Sequence, residues 1–230
     1  MSVTGRRVAG RALRAFNDRH PWSHNDHFHP WIVSRLPRRR RAALDVGCGQ
    51  GGLAAVLSPH FDEVVGVDAD PQMRRDAARR CADLANVTIV DLSLEHLGTG
   101  RAPDGRPAPP RAFDLVTMVA VLHHLDAADA LTQVRRLLAP GGRLLVVGLA
   151  PPATVRDHAW DLASAVTNPV IGLIRHPRPS TAGPPVDPFP VAEPTMPFDE
   201  LRALVETMLP GARMRRRLGF RHTIEWQVPG

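Results

Sequence analysis

Three aspartates and two groups of histidines carry the chemistry this chain could do. Asp45 stands just ahead of a bend holding Gly47, Gly49, Gly51 and Gly52, while Asp68 and Asp91 close two later apolar runs. A carboxylate pairs with a cation, or accepts hydrogen bonds from two adjacent hydroxyls. An unperturbed histidine titrates near 6.5, so His24, His27, His123 and His124 are the residues that could take a proton from a hydroxyl nucleophile. In a glycine-rich bend no Cβ blocks the approach of a ligand to the backbone. If a strand precedes the bend and a helix follows, the free N–H groups of the helix N-terminus complete a nucleotide-binding hinge.

Residues 43–46 read as the end of a buried strand and residues 53–57 as the first turns of a helix, so the hinge is complete. Gly47, Gly49 and Gly52 also satisfy a dinucleotide fingerprint, with Asp68 about 20 residues on. Asp45 argues against that ligand. Its carboxylate would lie close to a pyrophosphate, and like charges near 4 Å repel by about 4 kcal/mol at an effective dielectric constant near 20. A ligand with a positive end suits the same carboxylate.

The order acid, x, Gly, x, Gly, x, Gly over residues 45–51 resembles the opening of class I S-adenosylmethionine-dependent methyltransferases. Their cofactor carries an ammonium and a sulfonium and no phosphate. The resemblance implies that Asp68 accepts from the ribose hydroxyls and Asp91 from the adenine amino group, with the Leu92 N–H on a ring nitrogen. It adds Asp45, Gly47, Cys48, Gly49, Gly51, Ala69, Met73, Val119 and Ala120 to the cofactor site, Met73 either lying over adenine or packing its own helix. Asp70 reads as a helix N-cap with Pro71 in the first turn.

Strands are expected at residues 63–68, 87–90, 113–119, 142–149, 212–218 and 221–228, and helices at 31–36, 71–82, 127–138, 155–166 and 198–208. Pro-Gly-Gly at residues 140–142 reads as a break before the fifth strand, another feature of the family. The fold expected is α/β: a three-layer, Rossmann-like, doubly wound sheet of seven strands, the last antiparallel, with an N-terminal helical cap. Residues 1–41 form the cap and 42–150 the cofactor-binding core. Residues 151–197 form a helix and a Pro-rich insertion, and 198–230 a helix and hairpin that complete one domain.

The stretch from His20 to Trp31 interleaves histidines with Trp22, Asn25 and Phe28. Either it caps the surface or it folds over the cleft; Trp22, Asn25, Trp31 and Trp160 are the acceptor-side candidates, with Arg175 and His176 as weaker ones. His24, Asp26 and His27 lack the spacing of a metal site, and no metal is expected. The Leu-His-His ending of the fourth strand resembles small-molecule methyltransferases, with one histidine as base or, His124 above all, as cleft wall.

All 29 basic residues of the 230 are arginine, tyrosine is absent, and the net charge is +6. This reads as a bias of composition rather than a nucleic-acid face, and no nucleic-acid partner is expected. Two cysteines make no disulfide framework, and no apolar run approaches the 18 residues of a membrane span. The expected location is cytoplasmic, with the oligomeric state open and a homodimer among the options. The expected function is methyl transfer from S-adenosylmethionine to a small molecule at oxygen or nitrogen, as in secondary metabolism, leaving S-adenosylhomocysteine. The alternatives are an RNA or protein methyltransferase, or a non-methylating protein that binds the same cofactor.

Overall fold

The computed structural model describes residues 25–99, 112–154, 157, 159, 160, 164, 167, 194–218 and 220–229. The expected N-terminal helix, His20, Trp22, His24, Arg175 and His176 lie outside them. So do most of residues 155–193 and most of the Gly- and Pro-rich stretch at 98–111.

Seven strands form one sheet in the order β3-β2-β1-β4-β5-β7-β6. They are β1 (Ala42–Val46), β2 (Glu63–Val67), β3 (Val87–Val90), β4 (Phe113–Val119), β5 (Leu138–Gly148), β6 (Arg213–Arg217) and β7 (Arg221–Gln227). The first five pair in parallel, and β7 runs antiparallel between β5 and β6. Order reverses beside β1, which opens a crevice at the carboxyl ends of β1 and β4.

The helices are α1 (His29–Val33), α2 (Gly52–Leu57), α3 (Pro71–Arg80), α4 (Leu94–Thr99), α5 (Ala127–Leu137) and α6 (Phe198–Met208). Alternate strand residues feed opposite cores. Leu44, Val46, Val116 and Val146 pack with Leu131, Val134, Leu201 and Val205 of α5 and α6. Ala43, Val64, Leu115 and Leu145 pack with Ile32, Leu53 and Leu57 of α1 and α2. Both faces are covered, which is why the parallel strands are apolar throughout rather than alternating.

Three expectations change. The Pro-Gly-Gly sequence is not a break, because α5 passes directly into β5 and the triplet forms an irregularity within that strand. Gly141 has φ +75°, and a Cβ on Gly142 would sit 2.8 Å from the Ala139 carbonyl oxygen, so the chain bulges without leaving the sheet. The helix expected at 31–36 instead starts at His29, behind a 3₁₀ turn over Asp26–Phe28, with Pro30 in its first turn. Finally, α4 was not expected; Leu94 and Leu97, three apart, hold it to the core.

Candidate functional site

The hinge between β1 and α2 is built by backbone. The N–H groups of Gly47 and Cys48 both donate to the Val67 carbonyl, at 2.7 and 2.9 Å, folding the loop back over β2. Gly47 has φ +67°, and a Cβ there would overlap the Val121 side chain beyond β4. A Cβ on Gly51 would come 3.0 Å from the Ala77 Cα, so this glycine lets α2 and α3 approach. Gly49 faces open space, with nothing within 4 Å of its missing Cβ. Two glycines therefore close the packing and the third leaves room for a ligand.

Asp45 is 2% exposed. Its Oδ1 accepts from Thr117 Oγ1 at 2.7 Å, while Oδ2 is buried with no partner. Burial pushes this carboxyl up to about 7; the Thr117 bond opposes the rise and the Asp68 charge adds to it. A buried acceptor without a donor, in a site that penalises its own charge, fits an incoming ammonium. The same burial, followed by Asp45 and Asp68, raises the Cys48 thiol, so Cys48 is a wall rather than a nucleophile.

Asp68 sits at the end of β2, its Oδ2 accepting from the Gly49 N–H and its Oδ1 from the Asp70 N–H, each at 2.9 Å. Both oxygens are thus fixed in direction and keep a lone pair each for a pair of hydroxyls. Asp70 caps α3, accepting from the N–H groups of Gln72 and Met73. Met73 and Leu92 are half-buried, and Ala69 is exposed. Arg74 ties the ends of β2 and β3 together: it donates to the carbonyls of Asp68 and Ala69 and pairs with Asp91 at 2.8 Å. Sequence reasoning had missed that positioning role.

At the end of β4, Val119 and Ala120 are half-buried. Ala120 holds φ +57°, costly for a residue with a Cβ, while its N–H donates to Val147 at 2.7 Å. His123 and His124 follow with their rings 4.0 Å apart. The wall position belongs to His123, not to His124. His124 is exposed, whereas His123 lines a cleft with Leu122, Gly148 and His222. Burial, then His124 and Arg221, brings His123 down to about 4, so it is a neutral imidazole at pH 7.

His27, Trp31 and Trp160 come together in an open cleft with Phe28 and Arg216. Asn25 Oδ1 accepts from Arg221 Nη2 at 3.3 Å, which brings the start of the described chain to β7. Arg221 and His222 were also missed from the sequence. In a hairpin expected only to complete the sheet, nothing marks the strand residues whose neighbours are cleft walls. Among the described residues, no group of three His, Cys, Asp or Glu side chains could hold a metal.

The chain matches a family model described as a methyltransferase domain over residues 44–144. It is similar to an uncharacterized methyltransferase of Mycobacterium tuberculosis, 34% identical over 214 residues that cover 91% of this chain and 98% of the relative. It is also similar to trans-aconitate 2-methyltransferase of Methylobacterium radiotolerans, 35% identical over 153 residues, 61% of this chain and 53% of that one. A solved S-adenosylmethionine-dependent methyltransferase from Aquifex aeolicus shares the fold, with a TM-score of 0.55 and 16% identity over 87% of this chain and 89% of that one. With a hinge, an orphaned acid and a sheet order that all suit the same cofactor, the chain belongs to the class I S-adenosylmethionine-dependent methyltransferases.

Proposed function

We propose that this methyltransferase acts on oxygen or nitrogen of a small molecule held at the carboxyl ends of β4 and β5. The observation that supports this is a row of clefts: His123 and His222 line one at the ends of β4 and β5, His27, Trp31 and Trp160 line another beside the end of β6, and Trp160 and His222 share a third between them. Flat aromatic walls with one or two polar groups suit a compact acceptor. The trans-aconitate methyltransferase among the relatives is named for a small organic acid, which is in keeping with this reading.

S-adenosylmethionine supplies an electrophilic methyl carbon on a sulfonium, so the protein's share is alignment and exclusion of water. Asp45 pairs with the ammonium and fixes the amino-acid end. Asp68 takes the ribose hydroxyls, and Asp91, held by Arg74, takes the adenine amino group beside the Leu92 N–H. Met73 packs on the adenine side, and Gly47, Cys48, Gly49, Gly51, Ala69, Val119 and Ala120 shape the walls. His123 is neutral at pH 7 and free to accept a proton from a hydroxyl acceptor, with His24, His27 and His124 as the other candidates. Replacing each histidine by alanine and comparing transfer rate with cofactor affinity tests this. Loss of rate at constant affinity in one variant supports a base, and full rate in all four removes it.

A macromolecular acceptor is the second reading, because Arg213, Arg215 and Arg217 line a cleft with Arg35. RNA would bind there with a steep salt dependence, whereas a neutral small acceptor would not.

A further inference from the structure

Arg221 is a half-buried guanidinium with no carboxylate partner among the described residues. Its Nη2 donates to Asn25, and its Nε is buried with no acceptor. In the sheet it lies directly across from Arg217, a like charge, which is unfavourable. Arg217 is answered on its own side, donating to Thr223 Oγ1 at 3.1 Å with Glu225 nearby. Arg216, one residue earlier, is saturated by Asp157. Of these three arginines, Arg221 alone has no carboxylate near it among the described residues.

His222, the next residue, is 2% exposed, and neither of its ring nitrogens has a partner. It lies against Gly148 at the end of β5, so closely that a Cβ on Gly148 would overlap its ring. His123 has an orphaned buried Nδ1 as well. These three residues act on one another electrostatically. Arg221 and His123 both help hold His222 neutral, bringing it, after burial, to about 3, and Arg221 does the same to His123. His222 borders two clefts, one shared with His123 and a shallow one shared with Arg221, Pro151, Trp160 and Phe220. Phe220, just before the pair, holds a left-handed φ of +58°, a strain of the kind found where a site needs its neighbours aimed.

Buried polar groups in native proteins are paired, and a cluster of exceptions calls for a missing partner. The partner here is an anion with two acceptor oxygens side by side, to take the parallel N–H groups of Nε and Nη2, and with one guanidinium facing it a singly charged carboxylate is the better match than a doubly charged phosphate. We infer that the methyl acceptor carries a carboxylate, gripped by Arg221 and flanked by N–H donors from His222 and His123, with an apolar body against Pro151, Trp160 and Phe220. This rests on the proposed small-molecule methyl transfer and names the acceptor's chemical class. Arg221 is a specificity residue in this account and donates nothing to the cofactor.

The test uses the full chain saturated with S-adenosylhomocysteine and titrates benzoate, phenylacetate and glutarate against their neutral amides by calorimetry. At least one acid should bind about tenfold or more tightly than its amide. R221Q should weaken that acid by about 10- to 100-fold, the usual loss for a hydrogen-bonded charge, and leave S-adenosylhomocysteine affinity unchanged. R221K should keep part of the preference, which a merely structural role for Arg221 would not produce. Unchanged cofactor affinity reports that the variants are folded. Equal binding of acids and amides, no acid tighter than about 10 mM, or a preference untouched in R221Q overturns the inference while the methyltransferase reading stands. Failure of the wild-type chain to take up S-adenosylhomocysteine sinks both.

Discussion

Thr117 of β4 faces Asp45 of β1 across the sheet and donates to Oδ1 at 2.7 Å, leaving Oδ2 buried and open to a ligand. One hydroxyl proton is shared between two demands, since the Leu44 carbonyl lies 3.3 Å from the same Oγ1. The bond to the carboxylate is shorter and charge-assisted, so it prevails. The acid that should bind the cofactor is therefore held in place but only half-compensated.

That half-compensation makes cofactor binding pH-dependent. The Asp45 carboxyl is raised to about 7, and an ammonium ligand favours its ionised form. Affinity for S-adenosylhomocysteine should rise as pH increases to about 7 and then level off. The T117V variant removes the one bond that opposes the rise, so its midpoint should move upward by about one unit, with roughly tenfold weaker binding at pH 7. Calorimetry between pH 5.5 and 8.5 checks this. Stability of the ligand-free protein should carry the matching signature. The folded value lies above the ordinary 3.8, so this carboxyl's contribution is present at pH 4 and lost as pH rises through 7. The loss is on the order of 4 kcal/mol, and D45N should lack it.

Gly47→Ala should be among the most damaging single changes. A Cβ would overlap Val121, whose β-branched side chain cannot swing away, at a φ of +67°. The expected cost is about 2–4 kcal/mol of stability, with cofactor binding lost. Gly49→Ala meets no atom within 4 Å, so its cost should be the smaller, from its φ of +52° alone. Chemical denaturation of the two variants side by side reads the difference.

Arg216 anchors the cleft floor. It donates to Asp157 through Nε at 2.9 Å and through Nη2, and stacks 3.7 Å over the Phe198 ring. Burial raises Asp157, but bonds from Thr154, Arg216 and two backbone N–H groups outweigh it and bring it to about 2. R216A would strand a buried carboxylate, at a cost of about 3 kcal/mol. Because the Asp157 value in the folded chain is depressed, this support is present above pH 4 and fades as pH falls toward 2. Urea melts at pH 7 and pH 3 should show a larger gap between R216A and wild type at pH 7.

The hinge and the acids proposed for the cofactor were legible as geometry because they rest on local rules. Glycines mark the bend, Asp68 closes an apolar strand, and Asp70 caps a helix that begins with proline. The proposed acceptor side rests on contacts far apart in sequence. His222 matters because Gly148, 74 residues earlier, leaves room for its ring, and Arg221 because a β-ladder sets it beside Arg217 and a hydrogen bond ties it to Asn25. Neither neighbour can be inferred from composition or period. The Pro-Gly-Gly triplet misled for a related reason: alone it is turn chemistry, yet paired to β4 it bulges within a strand.

The central claim is that a buried acid ahead of the glycines selects a cationic nucleoside. The measurement that tests it most directly is a calorimetric titration of wild type and D45N with S-adenosylhomocysteine and with NAD at pH 7.5. Wild type should bind the first and give no heat with the second, and D45N should lose about 100-fold or more for S-adenosylhomocysteine. Tight uptake of NAD without heat from S-adenosylhomocysteine, or D45N binding S-adenosylhomocysteine as well as wild type does, would contradict it.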